Sequence, residues 1–195
     1  MIKDLSIEDA ANVLMYKAFE HSASSFSQFL GKKVTFDVSH KIGAEPLLGH
    51  LPLDERLNLL ISELRGDLKG ICYLVFSQED TKQIVGEQLM GSFAQNSELQ
   101  DALLMELDNI LTASFVTVLA NELKVSTHAY VPRLKRVNRL ELFSILKSDE
   151  LIYHLTQKFK VVYFIEGIQI SPIFTWAFDT QISRYISQWQ EKLSS

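Results

Sequence analysis

The sequence predicts an α+β fold in which two long antiparallel helices pack on a largely antiparallel β-sheet. Two long stretches lack glycine and proline, which favours long helices. Each is followed by strand-like segments, most of them joined by short turns, and strands joined in this way pair antiparallel. The same order of elements then occurs a second time. The order of elements supports a duplicated α-β-β-β-α unit more strongly than the weak sequence similarity between its two copies.

The first half begins with a helix that has a start and a stop signal. Residues 6–30 carry apolar side chains at helical spacing, Ser6 is placed to cap the amino end, and Gly31 to end it. Alternation and β-branched residues predict a strand at 33–39. The remaining predicted elements are a loop at 43–52, strands at 57–64 and 70–76 joined by a turn at 65–67, and a helix at 79–89 ended by Gly91.

The second half repeats this order. It comprises a helix at 97–123, a strand at 124–131 ended by Pro132, strands at 159–166 and 168–178 split by Gly167, and a helix at 179–193 capped by Asp179 or Thr180. We therefore expect one domain, 1–195, made of two pseudo-symmetric halves of about 1–93 and 94–195. The helices are expected on one face of the sheet.

Composition narrows the functional classes. A net charge of −5 argues against a dedicated nucleic-acid binder. The amino-terminal segment lacks the basic start and apolar run of a signal peptide, and no uninterrupted apolar stretch has the length of a membrane span. The lone cysteine, Cys72, lies in an apolar run and is expected to be a buried, inert thiol. These features predict a cytoplasmic protein with no membrane partner.

Glu106 and Asn109 are the candidate catalytic pair. They lie three residues apart on the predicted 97–123 helix, so they project from one helix face. Pro132 follows Asn109 after twenty-two intervening residues. Small residues share the stripe with the pair, and they are explained equally well by the approach of a second protein or by tight packing against the first-half helix: Ala102, Ala113 and Ala120.

This spacing of Glu106, Asn109 and Pro132 resembles the signature of the CheC/CheX/FliY family of response-regulator phosphatases, and the predicted fold is CheC-like. The family signature starts with Asp or Ser four residues before the Glu, where this chain has Ala102. In the first half, the same spacing falls on Asp9, Val13, Tyr16 and Ser39, of which only Asp9 fits. The resemblance therefore implies one remaining site and one degenerate site.

The resemblance implies a substrate and a role for each residue. The substrate would be the phosphoaspartate of a CheY-like response regulator. Asn109 would align a water molecule for attack on phosphorus, and Glu106 would pair with the active-site lysine of the regulator. Pro132 would be structural. The Mg²⁺ ion would be bound by the regulator, so no metal or cofactor is expected on this chain.

A basic cluster follows Pro132 and has two interpretations. Arg133, Lys135, Arg136 and Arg139 form either a solvated loop or a docking surface for the acidic rim of a regulator's active site. Nucleic-acid binding is a distant third interpretation, because the cluster is short and the protein is acidic.

A non-catalytic role is the main alternative to the phosphatase. On the same fold, the chain would bind a response regulator or a CheD-like signalling protein, and the substitutions at Ala102, Val13 and Tyr16 favour this alternative. Association with the flagellar switch, as in FliY, ranks third. The histidines are scattered without a recurrent ligand spacing, so no metal site is predicted.

Overall fold

The computed structural model describes residues 5–41, 54–88 and 95–192. Within these ranges the chain forms five helices and eight strands. In chain order they are α1 (Ile7–Leu30), β1 (Val34–Lys41), β2 (Leu57–Gly66), β3 (Gly70–Phe76), α2 (Gln78–Gln88), α3 (Ser97–Leu123), β4 (Thr127–Ala129), β5 (Arg133–Val137), α4 (Arg139–Ile152), β6 (Leu155–Ile165), β7 (Ile168–Ile170), β8 (Ile173–Phe178) and α5 (Gln181–Lys192).

The strands form one antiparallel sheet, which confirms the predicted α+β class. The order is β1-β6-β8-β3-β2-β4, with β5 also beside β2 and β7 beside β6. The first strand of each predicted half pairs with the middle strand of the other half: β1 with β6, and β4 with β2. The division into pseudo-symmetric halves stays a prediction, but this interleaving is what such halves would produce within a single domain.

The two long helices, α1 and α3, run antiparallel on one face of the sheet. Lys17 of α1 pairs with Glu122 near the end of α3, and the Ser22 hydroxyl donates to the carbonyl of Leu111 at 3.2 Å. The predicted signals at the ends of α1 are confirmed: Ser6 accepts a hydrogen bond from the Asp9 amide, and Gly31 adopts φ 65°.

Aromatic packing fixes these helices to the sheet. The Phe19 ring of α1 lies 5.0 Å from Phe115 of α3 and 5.1 and 5.2 Å from Phe159 and Phe174 of the sheet. The Trp176 ring stacks on Phe115 at 4.0 Å. Buried aromatic contacts of this kind make the relative position of α1 and α3 specific.

The prediction that all helices lie on one face of the sheet is wrong, because α4 covers the opposite face of β2, β3 and β8. Leu142 and Leu146 of α4 are buried in a second apolar cluster there. The Tyr73 hydroxyl donates a hydrogen bond to Asp149, which ties the end of α4 to β3. A capping box of Asn138 and Glu141 starts this helix, and it is readable in the sequence.

Several predicted boundaries are also corrected. The predicted strand at 168–178 is interrupted at Ser171–Pro172, where proline removes a backbone donor, and gives β7 and β8. The strand predicted at 124–131 is limited to β4. The helix predicted at 179–193 starts at Gln181, whose amide bonds the Asp179 side chain. The predicted loop at 43–52, Leu89, Gly91 and Leu193 lie outside the described residues.

Gly66 is required at the turn that ends β2. Its φ of 118° is accessible almost only to glycine, and an added Cβ would lie 2.2 Å from the Ser126 carbonyl oxygen. Gly66→Ala is therefore expected to lower the free energy of unfolding by at least about 2 kcal/mol. Chemical denaturation measures this change. In Gly86→Ala, the matched control in α2, the new Cβ meets nothing within 4 Å, so this variant is expected to be neutral or slightly stabilising. Equal stability of the two variants would contradict the account of this turn.

Candidate functional site

The Glu106 and Asn109 side chains both lie on the exposed side of α3. Among the residues that the structure describes, neither side chain has a hydrogen-bond or ion-pair partner. A surface Glu and Asn spaced three apart project in nearly the same direction, so both remain available to a second molecule.

The position of the pair follows from the apolar stripe on the other side of α3. This stripe is buried between α1 and the sheet, which leaves the face with Glu106 and Asn109 in solvent. The amino end of the helix is fixed by Asn96, whose side chain accepts hydrogen bonds from the amides of Glu98 and Leu99 at 2.9 and 3.2 Å. The buried residues are Leu104, Leu107, Asp108, Leu111, Thr112, Phe115, Val116, Leu119 and Leu123.

The small residues beside the pair point to solvent more than to α1. Ala102 and Ala113 are exposed, and Ala120 is half-buried. Packing against the first-half helix therefore does not explain Ala102 and Ala113. Because Ala102 and Ala113 carry only methyl groups, no bulky side chain stands at these two positions on either side of Glu106 and Asn109 along the helix.

Pro132 is buried at a bulge in the outer strand of the sheet. β4 and β5 both pair with β2, but the register shifts by one residue across Tyr130–Pro132. An extra residue in one strand is a β-bulge, where proline is tolerated because a ladder hydrogen bond is already lost. Pro132 thus joins two short strands, and the chain does not leave the sheet after it.

The basic cluster lies on β5 and at the start of α4, so the prediction of a loop is wrong, although the side chains of Arg133, Lys135 and Arg136 are exposed to solvent. Arg133 donates to Glu63 of β2 at 2.8 Å, and Arg136 pairs with Asp101 of α3. Lys135 is exposed, and Arg139 is the first residue of α4. At 1.5 Å per residue, Asp101 lies about 7.5 Å along the helix from Glu106. The Arg136 contact therefore places part of the cluster beside the amino half of α3.

The corresponding first-half positions form a different surface. Val13 and Tyr16 are 43% and 50% exposed on α1, and the Tyr16 ring lies 5.6 Å from that of Phe36. Asp9 accepts a hydrogen bond from the Ser6 hydroxyl at 2.7 Å, which is a capping contact. Ser39 lies within β1, which pairs with β6 without a bulge. An apolar pair thus stands where a second Glu/Asn pair would be.

Asp108 is the residue of this region that the sequence analysis missed. In sequence, Asp108 lies between the exposed Glu106 and Asn109, but its side chain is fully buried. It accepts a 2.6 Å hydrogen bond from the Ser62 hydroxyl of β2 and a 3.4 Å bond from Thr112. Burial raises the pKa of this carboxyl to about 6, although both hydrogen bonds oppose the shift. Its spacing from Leu104 and Leu111, which places it on the buried stripe, is the signal that could have revealed it.

Cys72 is buried, as predicted, and the structure also places its thiol near the Asp108 carboxyl. Its sulfur accepts a contact from the Thr112 hydroxyl at 3.9 Å, and burial raises the pKa of the thiol well above its ordinary value. A thiol in this environment is a poor nucleophile. Among the described residues, no group of three or more His, Cys, Asp or Glu side chains is arranged to hold a metal ion.

Comparison with solved structures identifies the fold, whereas no protein-family model and no curated protein matches the sequence. FliY from Thermotoga maritima superimposes with a TM-score of 0.66 at 14% identity, over 97% of this chain and 98% of that one. The FliM middle domain from Vibrio alginolyticus superimposes with a TM-score of 0.60 at 11% identity, over 92% of this chain and 99% of that one. CheX from Borrelia burgdorferi, solved with CheY, BeF₃ and Mg²⁺, superimposes with a TM-score of 0.52 at 14% identity, over 84% of this chain and 97% of that one.

The chain has the CheC/CheX/FliY fold. This fold occurs in proteins with different names and roles, so it does not by itself specify a reaction. In this fold, α3 is long and apolar enough to span a membrane by length and composition, and it is the only such helix among the described residues. It packs against α1 and the sheet, as the core helix of a soluble protein does.

Proposed function

We propose that the chain is a phosphatase that removes the phosphoryl group from the aspartate of a CheY-like response regulator. The observation that carries this proposal is that Glu106 and Asn109 are exposed side by side on α3 and have no partner among the residues that the structure describes. The CheX of Borrelia burgdorferi, which has the same fold, was solved with CheY. A regulator of this kind would supply the Mg²⁺, and this chain would supply side chains only.

Asn109 suits the task of aligning a water molecule. Its amide can accept one hydrogen bond from the water and donate another, and it carries no charge that would repel the anionic phosphoryl group. Catalysis of phosphoryl transfer is mainly positioning and electrostatic stabilisation. An exposed side chain on a rigid, packed helix can enter a partner's active site without reorganisation of its own domain.

The buried side of α3 supplies that rigidity. The hydrogen bond from Ser62 to Asp108 links the helix to β2 at the residue before Asn109, and the stacked Phe115 and Trp176 rings fix the following turns. Positional errors of about 1 Å can cost about 100-fold in rate. Anchoring of this kind therefore favours a role for Asn109 in positioning.

The direct test is the lifetime of a phosphoryl label on CheY-type regulators. The purified chain at a concentration well below that of the regulator is expected to shorten this lifetime for at least one regulator from the same organism. A lifetime unchanged from buffer for every such regulator would overturn the proposal.

Glu106→Gln is expected to weaken binding more than it slows chemistry. The substitution keeps the shape of the side chain and removes the charge that would pair with the regulator's lysine. Loss of a charge-assisted hydrogen bond of about 1.5–3 kcal/mol corresponds to an increase in KM of about tenfold or more. Steady-state kinetics measures KM and kcat separately. The control is Glu20→Gln, which removes an exposed carboxylate from α1. Equal KM values for the two variants would contradict the assigned role.

A binding module without catalysis is the second candidate, and the exposed Val13 and Tyr16 favour it. An apolar pair on α1 is typical of a contact surface and provides no chemistry. The partner would be a response regulator or a CheD-like protein. Tight binding to a regulator with no change in its phosphoryl lifetime would support this candidate over the phosphatase.

A further inference from the structure

β5 lies at an edge of the sheet that the described residues form. It pairs with Leu57–Ile61 of β2 on one side, and no strand among the described residues pairs with its other side. The N–H and C=O groups of an antiparallel strand point alternately to its two sides, so part of the β5 backbone faces solvent. An exposed edge of this kind is a template for an additional strand.

An apolar groove runs beside this edge, between β5 and the first turns of α4. Its volume is about 660 Å³, and Val137, Leu140 and Ile145 supply its apolar surface. Leu140 is 63% exposed. A second cavity of about 510 Å³ adjoins it, shares Val137 and Leu140, and reaches Arg56. The edge therefore has a surface on which side chains of an added strand can be buried.

Two exposed cations lie along this groove and the cavity that adjoins it. Lys135 and Arg56 are exposed, and neither has an ion-pair partner among the described residues. Arg136 adds a third positive charge, although it already contacts Asp101. The carboxylate of Glu141 accepts a hydrogen bond from the Asn138 backbone amide at 2.8 Å within the capping box, and Asp54 lines the second cavity together with Arg56. Three cations and two carboxylates line the two cavities, which gives a formal net charge of +1, and Lys135 and Arg56 are the cations that pair with no acidic side chain of the described residues.

We propose that the free edge of β5 binds an extended acidic segment of a partner protein by strand addition. The backbone of the segment pairs with β5, its apolar side chains enter the groove at Val137 and Leu140, and its carboxylates meet Lys135 and Arg56. A second copy of this chain fits poorly, because antiparallel self-pairing centred on β5 places Lys135 opposite Lys135. The proposal goes beyond the phosphatase function and does not depend on it, since Glu106 and Asn109 take no part.

The test uses a short, fluorescently labelled peptide in which Glu and Val alternate at every second position, with Thr between them, because Lys135 and Val137 lie two residues apart and so on the same face of β5. Fluorescence anisotropy is expected to show saturable binding of this peptide, and no saturable binding of a Lys–Val peptide or of the Glu–Val peptide with alternate amides methylated. The double variant Arg56→Glu/Lys135→Glu is expected to bind at least about tenfold more weakly. Its control, Lys69→Glu/Lys82→Glu, makes the same change in net charge at exposed positions away from β5 and is expected to bind as the wild type does.

Three results would overturn the proposal: no saturable binding of the Glu–Val peptide, equal binding of the methylated peptide, or full affinity in the Arg56→Glu/Lys135→Glu variant. A single-stranded oligonucleotide that displaces the peptide and binds more tightly would identify a nucleic-acid surface instead. The assay contains no regulator and no phosphoryl group, so its failure is distinguishable from failure of the phosphatase proposal.

Discussion

Replacing Asn109 with alanine is expected to return the phosphoryl lifetime of the regulator to that of the regulator alone, a loss of at least about 100-fold in the accelerated rate. Alanine cannot hold a water molecule, and the neighbouring Glu106 cannot take over this role, because it carries a negative charge and pairs with the regulator's lysine in the proposed complex. Ala113, one turn further on, carries only a methyl group. The measurement is the decay of the phosphoryl label on the regulator in the presence of a saturating concentration of Asn109→Ala.

The substitution leaves the fold intact, which makes the result interpretable. Asn109 is exposed and forms no hydrogen bond among the described residues, and alanine has a higher helix propensity than asparagine. The matched control is Asn121→Ala, which removes a second exposed asparagine from the same helix. Wild-type activity in Asn109→Ala, or equal losses in the two variants, would contradict the assignment of Asn109.

Asp108→Asn is expected to stabilise the protein at neutral pH and to have little effect below about pH 4. Burial raises the pKa of Asp108 from 3.8 to about 6, so the folded state binds a proton more tightly than the unfolded state. The free energy of unfolding therefore falls as the pH rises between about 4 and 6, because the buried carboxyl loses its proton over this range. Above it, the charged carboxylate lowers the free energy of unfolding by about 3 kcal/mol.

Asparagine removes this penalty and can keep both contacts, because its amide oxygen accepts from the Ser62 hydroxyl and its NH₂ group can donate to the Thr112 hydroxyl oxygen in place of the original bond. Chemical denaturation at a series of pH values gives the difference in the free energy of unfolding between variant and wild type. The contributions of the other carboxylates are the same in both proteins and cancel in this difference. Asp37→Asn, an exposed substitution in β1, is the control and is expected to change the free energy of unfolding only slightly at neutral pH. A destabilised Asp108→Asn at neutral pH would contradict the account of this buried carboxyl.

The long helices were predictable because local signals agree with the packing. For α3, the absence of glycine and proline gave the bounds of residues 97–123, and the 3.6-residue period separated Glu106 and Asn109 from the buried leucines. For α1, the Ser6 cap and the Gly31 stop both proved correct. In these elements, secondary-structure preference and burial point the same way.

The outer strand and α4 were not predictable in the same way. β5 carries three basic residues in five and looks like a loop when only its charge is considered. It becomes a strand because β2 offers an edge that is distant in sequence. The capping box at Asn138 could have indicated α4, but its position on the second face of the sheet depends on tertiary packing.

In the candidate site, too, the features set by local sequence were predictable and those set by tertiary contacts were not. Glu106, Asn109 and Pro132 were found by spacing, whereas the Arg136–Asp101 pair and the Ser62–Asp108 hydrogen bond join residues far apart in the chain. Contacts of this kind depend on the order of strands in the sheet. The sequence therefore identified the exposed side chains of the site but not the buried contacts that position them.

The most direct test of the central claim is a parallel time course of label loss from a phosphorylated CheY-type regulator, with substoichiometric wild-type chain in one sample and Asn109→Ala in the other. The account predicts multiple turnovers with the wild type and decay at the regulator's own rate with the variant. Identical decay in the two samples, for a regulator that binds both chains, would contradict it.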